Sequence, residues 1–160
     1  MKNWPIVEHA IPPKSGKGRV RGTVPGADDV SESEGSGAPR ILVVEDDFFV
    51  SLEMEAALTG AGFQAVGVAN SAEEAERYAA EEHPDLIVMD IRLTTERDGI
   101  DAALAIFRKL GIRSILATAH EDSHTRERAA AARPLAWLVK PYAMESLIAT
   151  VRAALMELKN

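Results

Sequence analysis

The sequence contains no cysteine, so neither a disulfide framework nor a thiolate metal site can form. It also lacks a long apolar run: no stretch approaches the roughly 18 apolar residues needed to cross a membrane, and the start of the chain has no apolar region of a secretion signal. An excess of positive charge is missing as well, since the net charge is -7 and the pI is near 5.1, and this disfavours non-specific binding of nucleic acid. These absences predict a cytoplasmic protein with neither a membrane nor DNA as a partner.

The composition of the chain changes near Pro39. Residues 1–39 hold five of the eight prolines, many glycines and serines, and no sustained periodicity. Such a segment cannot bury enough apolar surface to offset the entropy lost on ordering. We therefore predict a disordered tail or linker there, either solvated or docked on a partner. Residues 40–160 are long enough for one domain with a sizeable core.

Beyond Arg40, short apolar runs alternate with segments of helical periodicity. The runs predict strands at 41–44, 63–68, 86–90, 113–118 and 135–139. The other segments predict helices at 48–61, 71–82, 100–110, 121–133 and 144–158. The fourth helix contains alanines and charged residues but no large apolar side chain. Because most helix stability in proteins comes from packing an apolar face, we expect this helix to be short, mobile or displaced.

Five alternations of strand and helix predict an α/β fold, a parallel sheet with helices on both faces, and right-handed crossovers make that sheet doubly wound. The carboxyl ends of parallel strands share one edge, where ligands bind. The polar residues expected at this edge are Glu45, Asp46, Asp47, Asp90, Thr118 and Lys140. Close carboxylates repel one another unless a cation holds them together, and a ligand set made only of oxygens suits Mg²⁺.

Four motifs at these strand ends resemble those of the receiver domain of two-component response regulators. They are Ile41-Leu-Val-Val-Glu-Asp46, Asp85-Leu-Ile-Val-Met-Asp90 with Asp98-Gly99 after it, Thr118-Ala119, and Lys140-Pro141-Tyr142. The resemblance covers residues 40–158 and implies a flavodoxin-like (βα)5 fold with strand order 2-1-3-4-5. The stretch Leu116-Ala-Thr-Ala119, the weak fourth helix and the Lys-Pro-Tyr sequence also partly resemble the alphaproteobacterial FATGUY subgroup of receivers.

The resemblance implies a phosphorylation site. Asp90 would be the phosphoacceptor, which attacks the phosphoryl group of a histidine kinase, a histidine phosphotransfer protein or a small phosphodonor. Mg²⁺ would be bound by Asp46, Asp90 and the backbone carbonyl of Arg92, with Glu45 acting directly or through water. These roles agree with elementary chemistry, since phosphoryl transfer needs an in-line nucleophile and positive charge around the phosphoryl oxygens.

Three further residues are given roles by the resemblance. Lys140 would offer an ammonium group, and Thr118 a hydroxyl group, to the phosphoryl oxygens. Trp137 stands three residues before the lysine, where the family has its switch aromatic, usually a tyrosine or phenylalanine. Thr118 and Trp137 would carry the switch, and a tryptophan that stays in the core is the alternative. Asp47 is predicted to cap the first helix rather than to bind metal.

The leading hypothesis is a phosphoacceptor of a two-component phosphorelay that is not itself an enzyme. Because the last predicted helix uses the final residues, we expect a single-domain regulator that acts through protein contacts or as a phosphate shuttle or sink. The alternatives are a receiver from a hybrid histidine kinase, a pseudo-receiver that only scaffolds, and a Mg²⁺-dependent phosphatase with an aspartyl nucleophile. The phosphatase generally needs a second aspartate two residues beyond the nucleophile, where this chain has Arg92.

Overall fold

In the computed structural model, which describes residues 37–160, five strands alternate with five helices. The strands are β1 (Arg40–Val44), β2 (Gln64–Ala69), β3 (Leu86–Asp90), β4 (Ser114–Thr118) and β5 (Ala136–Val139). The helices are α1 (Phe48–Gly60), α2 (Ala72–Glu82), α3 (Gly99–Leu110), α4 (Ser123–Ala129) and α5 (Met144–Lys159). The tail predicted over residues 1–39 lies almost wholly outside the described residues, so it stays a prediction.

The five strands form one parallel sheet in the order β2-β1-β3-β4-β5. This order confirms the flavodoxin-like, doubly wound sheet. The register pairs Val44 with Met89 and Thr118 with Val139, so the strands finish close to a common edge. The winding reverses between β1 and β3, and in open α/β sheets ligands bind outside the strand ends at such a switch point.

The three central strands, β1, β3 and β4, are buried nearly throughout, as their continuous apolar runs predict. Helices α2, α3 and α4 cover one face of the sheet, with an alanine-rich contact between α2 and α3. Helices α1 and α5 cover the other face. Within residues 37–160, none of the helices combines the length and apolar character that crossing a membrane requires.

Polar side chains cap the helices that leave the carboxyl edge of the sheet. Asp47 accepts hydrogen bonds from the backbone N–H groups of Phe49 and Val50 at 2.9 and 3.0 Å, which confirms its predicted role as the N-cap of α1. Asp98 caps α3 by accepting from the N–H of Asp101 at 3.0 Å. The carboxylate of Asp47 is therefore committed to the helix.

Helix α4 is only seven residues long and continues into a 3₁₀ turn, Ala130–Ala132. Its one buried residue is Ala129. The prediction of a short helix is confirmed, and the reason is the one expected from the sequence. Without large apolar side chains, little apolar surface is removed from water when the helix packs.

Helix α3 begins so close to β3 that its first residue has to be glycine. A Cβ atom on Gly99 would overlap the carbonyl oxygen of Asp90 and would lie 2.9 Å from the Cα atom of Ile91. The N–H of Gly99 also donates to the carbonyl of Ile91 at 2.8 Å. This backbone contact fixes the start of α3 directly behind the residue that ends β3.

We expect Gly99→Ala to lower the free energy of unfolding by about 1 to 3 kcal/mol, because the added methyl group must push two backbone segments apart. Gly60→Ala is the control, since a Cβ at Gly60 meets no atom within 4 Å. It should leave stability unchanged or raise it by up to about 1 kcal/mol. Urea denaturation of both variants measures the difference, and equal stabilities would contradict the close approach.

Candidate functional site

The ends of β1 and β3 bring three carboxylates together at the switch point. Glu45 directly follows β1 and Asp90 is the last residue of β3; they are only 3% and 4% exposed. Asp46 follows Glu45 in the chain and is half-buried. One carboxylate oxygen from each of the three residues lies within 4.8 Å of the other two. Three of the residues predicted for the metal site are therefore neighbours in space.

Lys140, which follows β5, provides the ammonium group of this cluster. Its Nζ atom lies 2.7 Å from Oδ2 of Asp90 and 3.5 Å from Oε2 of Glu45. The backbone N–H of Lys140 donates to the carbonyl of Thr118 at 2.8 Å, which continues the strand pairing and directs the side chain. Burial lowers the pKa of Lys140, but the hydrogen bond and charge of Asp90, together with the charge of Glu45, raise it by more. The ammonium group is therefore charged at neutral pH.

One ammonium group does not neutralise three carboxylates, and the pKa of the Glu45 carboxyl group is raised. The pKa of Glu45 is raised from 4.5 to about 7, mainly by burial and also by the nearby charge of Asp90. A hydrogen bond from the N–H of Asp47 to Oε1 at 3.0 Å opposes this rise, as does the charge of Lys140. The carboxyl group of Glu45 therefore changes between its neutral and charged forms near neutral pH unless another cation is present.

The cluster fits a hard divalent cation in both donor type and charge. Glu45, Asp46 and Asp90 offer only oxygen atoms, the ligands that Mg²⁺ prefers. Three carboxylates carry more negative charge than the single ammonium group of Lys140 can offset, and burial together with the charge of Asp90 raises the pKa of Glu45. The backbone of Arg92 passes along the same carboxylate, because its N–H donates to Oδ1 of Asp90 at 3.0 Å.

Thr118 ends β4 beside Asp90 and is buried. Its hydroxyl group donates to the carbonyl of His120 at 2.8 Å and accepts from the N–H of the same residue at 3.2 Å. The predicted switch hydroxyl is thus held by its own loop. A ligand in front of Asp90 would have to compete with these two local hydrogen bonds.

Trp137, the predicted switch aromatic, lies half-buried in β5 and packs against the core on the side of α3 and α4. The guanidinium carbon of Arg126 lies 5.0 Å from the centre of the indole ring. Arg126 also forms an ion pair with Glu121. The ring therefore connects β5 to the arginine-bearing face of α4.

A crevice of about 330 Å³ opens in front of Asp90, between the loop after β3 and helix α4. Asp90, Thr118 and Lys140 are among the residues that line it. Asp98 and Arg128 line it as well, and Nη2 of Arg128 lies 2.9 Å from Oδ2 of Asp98. Sequence reasoning missed this pair, since the two residues stand 30 positions apart and no periodicity relates them.

The fold and the site together define a class of protein: a doubly wound α/β domain with a carboxylate and lysine cluster at its topological switch point. The chain matches the family model described as the response regulator receiver domain over residues 41–152. It belongs to this family. Receiver domains are signalling modules of two-component systems and generally bind Mg²⁺ at an acidic pocket.

Similar proteins cover most of this chain. Over 121 residues it is 33% identical to the transcriptional regulatory protein PdtaR of Mycobacterium tuberculosis, a match that spans 76% of this chain and 58% of PdtaR. It is 31% identical over 120 residues to the phyllosphere-induced regulator PhyR of Methylorubrum extorquens, spanning 74% of this chain and 44% of PhyR. The chain thus spans about half the length of these curated relatives.

Solved structures share the fold. The signal receiver domain of a modulated diguanylate cyclase from Desulfovibrio desulfuricans G20 superposes with a TM-score of 0.70 and 30% identity, covering 76% of this chain and 97% of that domain. The resemblance to the FATGUY subgroup stays a prediction.

The raised pKa of Glu45 makes stability depend on pH. A carboxyl group whose pKa is higher in the folded state stabilises the fold most below about pH 4.5, and this contribution is lost as the pH rises to about 7. Glutamine stays neutral throughout. We therefore expect Glu45→Gln to gain on the order of 1 to 3 kcal/mol relative to wild type between pH 5 and pH 8 in the absence of metal. Urea denaturation in EDTA at both pH values measures this, and a difference that does not change with pH would contradict the burial of an uncompensated carboxylate.

Proposed function

We propose that this receiver domain accepts a phosphoryl group on Asp90. The observation that carries the proposal is the environment of that carboxylate. It is 4% exposed, it ends β3 at the switch point, and its Oδ2 atom lies 2.7 Å from Nζ of Lys140. A carboxylate that served only to hold the fold together would need no open space, whereas Asp90 borders a crevice of about 330 Å³.

The proposed step is a displacement at phosphorus. A carboxylate oxygen of Asp90 forms the new P–O bond while the P–N bond of a phosphohistidine breaks. The imidazole nitrogen keeps the electron pair and then takes a proton from solvent. The ammonium group of Lys140 then leaves the carboxylate of Asp90 and donates a hydrogen bond to a negatively charged phosphoryl oxygen.

Mg²⁺ would be held by Asp46, Asp90 and the backbone carbonyl of Arg92, with Glu45 as a further ligand directly or through water. When bound, the cation supplies positive charge that offsets the charge of the phosphoryl oxygens. Glu45 contributes full negative charge at neutral pH once its proton has left. Its buried position keeps that charge close to Asp90 and away from bulk water.

The proposed switch uses the two hydrogen bonds of Thr118. A phosphoryl group brings roughly two negative charges and three acceptor oxygens, which compete with the carbonyl of His120 for the threonine hydroxyl. If the hydroxyl turns to the phosphoryl group, the loop between β4 and α4 moves with it. Trp137 would report and transmit this change through its contact with Arg126.

Receiver domains interact with histidine kinases or histidine phosphotransfer proteins, and we propose a donor of this kind for Asp90. The proposal concerns the receiver domain, whose output would be a change of protein contacts in the cytoplasm, without DNA as a partner of this domain.

Incubation with Mg²⁺ and acetyl phosphate tests the proposal directly. We expect intact-mass spectrometry to detect one phosphoryl adduct on the wild-type protein and none on Asp90→Asn, because the amide is not a nucleophile of comparable strength. Replacing Lys140 with methionine should slow adduct formation at least tenfold, since one charge-assisted hydrogen bond to the phosphoryl group is lost.

Asp47→Asn is the matched control for this experiment. It removes one carboxylate next to the cluster, but asparagine keeps the helix cap, so the adduct should form at close to the wild-type rate. An adduct that persists on Asp90→Asn would overturn the assignment of the phosphoacceptor. Absence of any adduct on wild type, with no response to beryllium fluoride, would support a scaffold instead.

The proposed switch makes a spectroscopic prediction. The chain has two tryptophans, so Trp4→Phe leaves Trp137 as the single indole. We expect beryllium fluoride with Mg²⁺, a mimic of the phosphorylated state, to change the intensity or the wavelength of its fluorescence emission, since the ring contacts a helix that would move. An emission spectrum that stays the same while beryllium fluoride demonstrably binds would mean that Trp137 is a fixed core residue.

A further inference from the structure

Two arginines of helix α4 contact neighbouring elements of the domain. Its only buried residue is Ala129, so apolar packing contributes little to its position. Arg126 stacks over Trp137 in β5. Arg128 reaches in the other direction, to the start of α3. The placement of this helix is thus unusually sensitive to the charges around it.

Arg128 is held by the carboxylate that caps α3. Its Nη2 atom lies 2.9 Å from Oδ2 of Asp98 and 3.7 Å from Oδ1 of Asp101. The other oxygen of Asp98 accepts the capping hydrogen bond from the N–H of Asp101 at 3.0 Å. The arginine side chain is still 40% exposed, and ion pairs of this exposure are weak, typically about 0 to 1 kcal/mol. A stronger anion nearby can therefore draw Arg128 away at small cost.

Such an anion would arise in the crevice that Arg128 lines. Asp90, Lys140, Asp98 and Arg128 all line this space. The charged residues around the crevice are balanced, three acidic and three basic: Asp90, Asp98, Asp122, Arg92, Arg128 and Lys140. A phosphoryl group on Asp90 would extend into this space with roughly two negative charges and three acceptor oxygens. Lys140 alone already serves two carboxylates.

We propose that Arg128 is a second cationic side chain of the phosphoryl site, beside Lys140, held by Asp98 in the unmodified protein and shared with the phosphoryl group once Asp90 is modified. The inference rests on the proposed function of Asp90 and assigns a further anion-binding residue to that site. Guanidinium groups suit this role because their planar fork of donors matches phosphate oxygens. When Arg128 turns toward the phosphoryl group, its ion pair with Asp98 weakens, so the charge of the modification loosens the tie between α4 and α3.

Beryllium fluoride in excess Mg²⁺ is the probe, with its apparent affinity measured by isothermal titration calorimetry at physiological ionic strength. We expect Arg128→Gln to weaken binding roughly five- to tenfold, because one charged donor is lost. Arg128→Lys should bind with intermediate affinity. Asp98→Asn, which keeps the N-cap but frees the arginine, should bind roughly two- to threefold more tightly.

The double variant Asp98→Asn with Arg128→Gln separates a direct contact from a general effect of charge. If Asp98 acts through Arg128, the double variant binds as weakly as Arg128→Gln. If both residues act only by long-range electrostatics, the two effects are additive in free energy, so the double variant binds more tightly than Arg128→Gln by the same factor that Asp98→Asn gives in the wild-type protein. This outcome would overturn the proposal. Arg108→Gln, which removes the same charge from an exposed position in the last turn of α3, should bind like wild type.

The failure of this inference is distinguishable from the failure of the proposed function. Wild-type affinity in Arg128→Gln, with normal phosphorylation of Asp90, would remove Arg128 from the site and leave the phosphoacceptor in place. A wild-type protein that binds no beryllium fluoride and forms no adduct would overturn both. Urea denaturation of each variant guards against a loss of binding caused by unfolding. Since asparagine keeps the cap and Arg128 is exposed, each variant should unfold close to the urea midpoint of wild type.

Discussion

Three carboxylates and one ammonium group meet at the point where the sheet changes its direction of winding. The cluster therefore carries more negative than positive charge, and the other features of the site depend on this excess. Lys140 lies 2.7 Å from Asp90 and 3.5 Å from Glu45, yet burial still raises the pKa of Glu45 to about 7. A fold optimised for stability alone would not gather these charges out of water. The fold tolerates this repulsion between carboxylates because the strands behind the cluster are packed on both faces. The same excess of negative charge favours the binding of a cation.

The charge cluster lies between two helices that are held in different ways. On one side, Gly99 fixes the start of α3 behind Asp90 through backbone contact. On the other side, α4 has few apolar anchors and is tied by arginines to Trp137 and Asp98. A helix with one buried residue, opposite a helix whose start is fixed by backbone contact, is a suitable arrangement for converting local charge into displacement, because moving the former exposes less apolar surface.

The fold could be read almost completely from the sequence, since apolar runs such as that ending in Asp90 mark buried strands and their order along the chain fixes where the ends meet. The shortness of α4 was also predictable, because its segment of the sequence contains no large apolar side chain. The close approach of the Asp90 and Ile91 backbone to Gly99 and the pairing of Arg128 with Asp98 were not predictable. Both depend on distances between segments that are far apart in sequence, and neither leaves a periodic pattern. Whether Thr118 bonds its own loop or a ligand is likewise a matter of local geometry, not of residue type.

A crystal structure with Mg²⁺ and beryllium fluoride tests the central claim most directly, that Asp90 is the group around which this site is built. The predicted result is beryllium bonded to a carboxylate oxygen of Asp90, the metal ion between Asp46 and Asp90, and Nζ of Lys140 moved from the carboxylate to a fluorine atom. An unchanged contact between Lys140 and Asp90 at 2.7 Å, with no density beyond the carboxylate at concentrations that saturate other receiver domains, would contradict it.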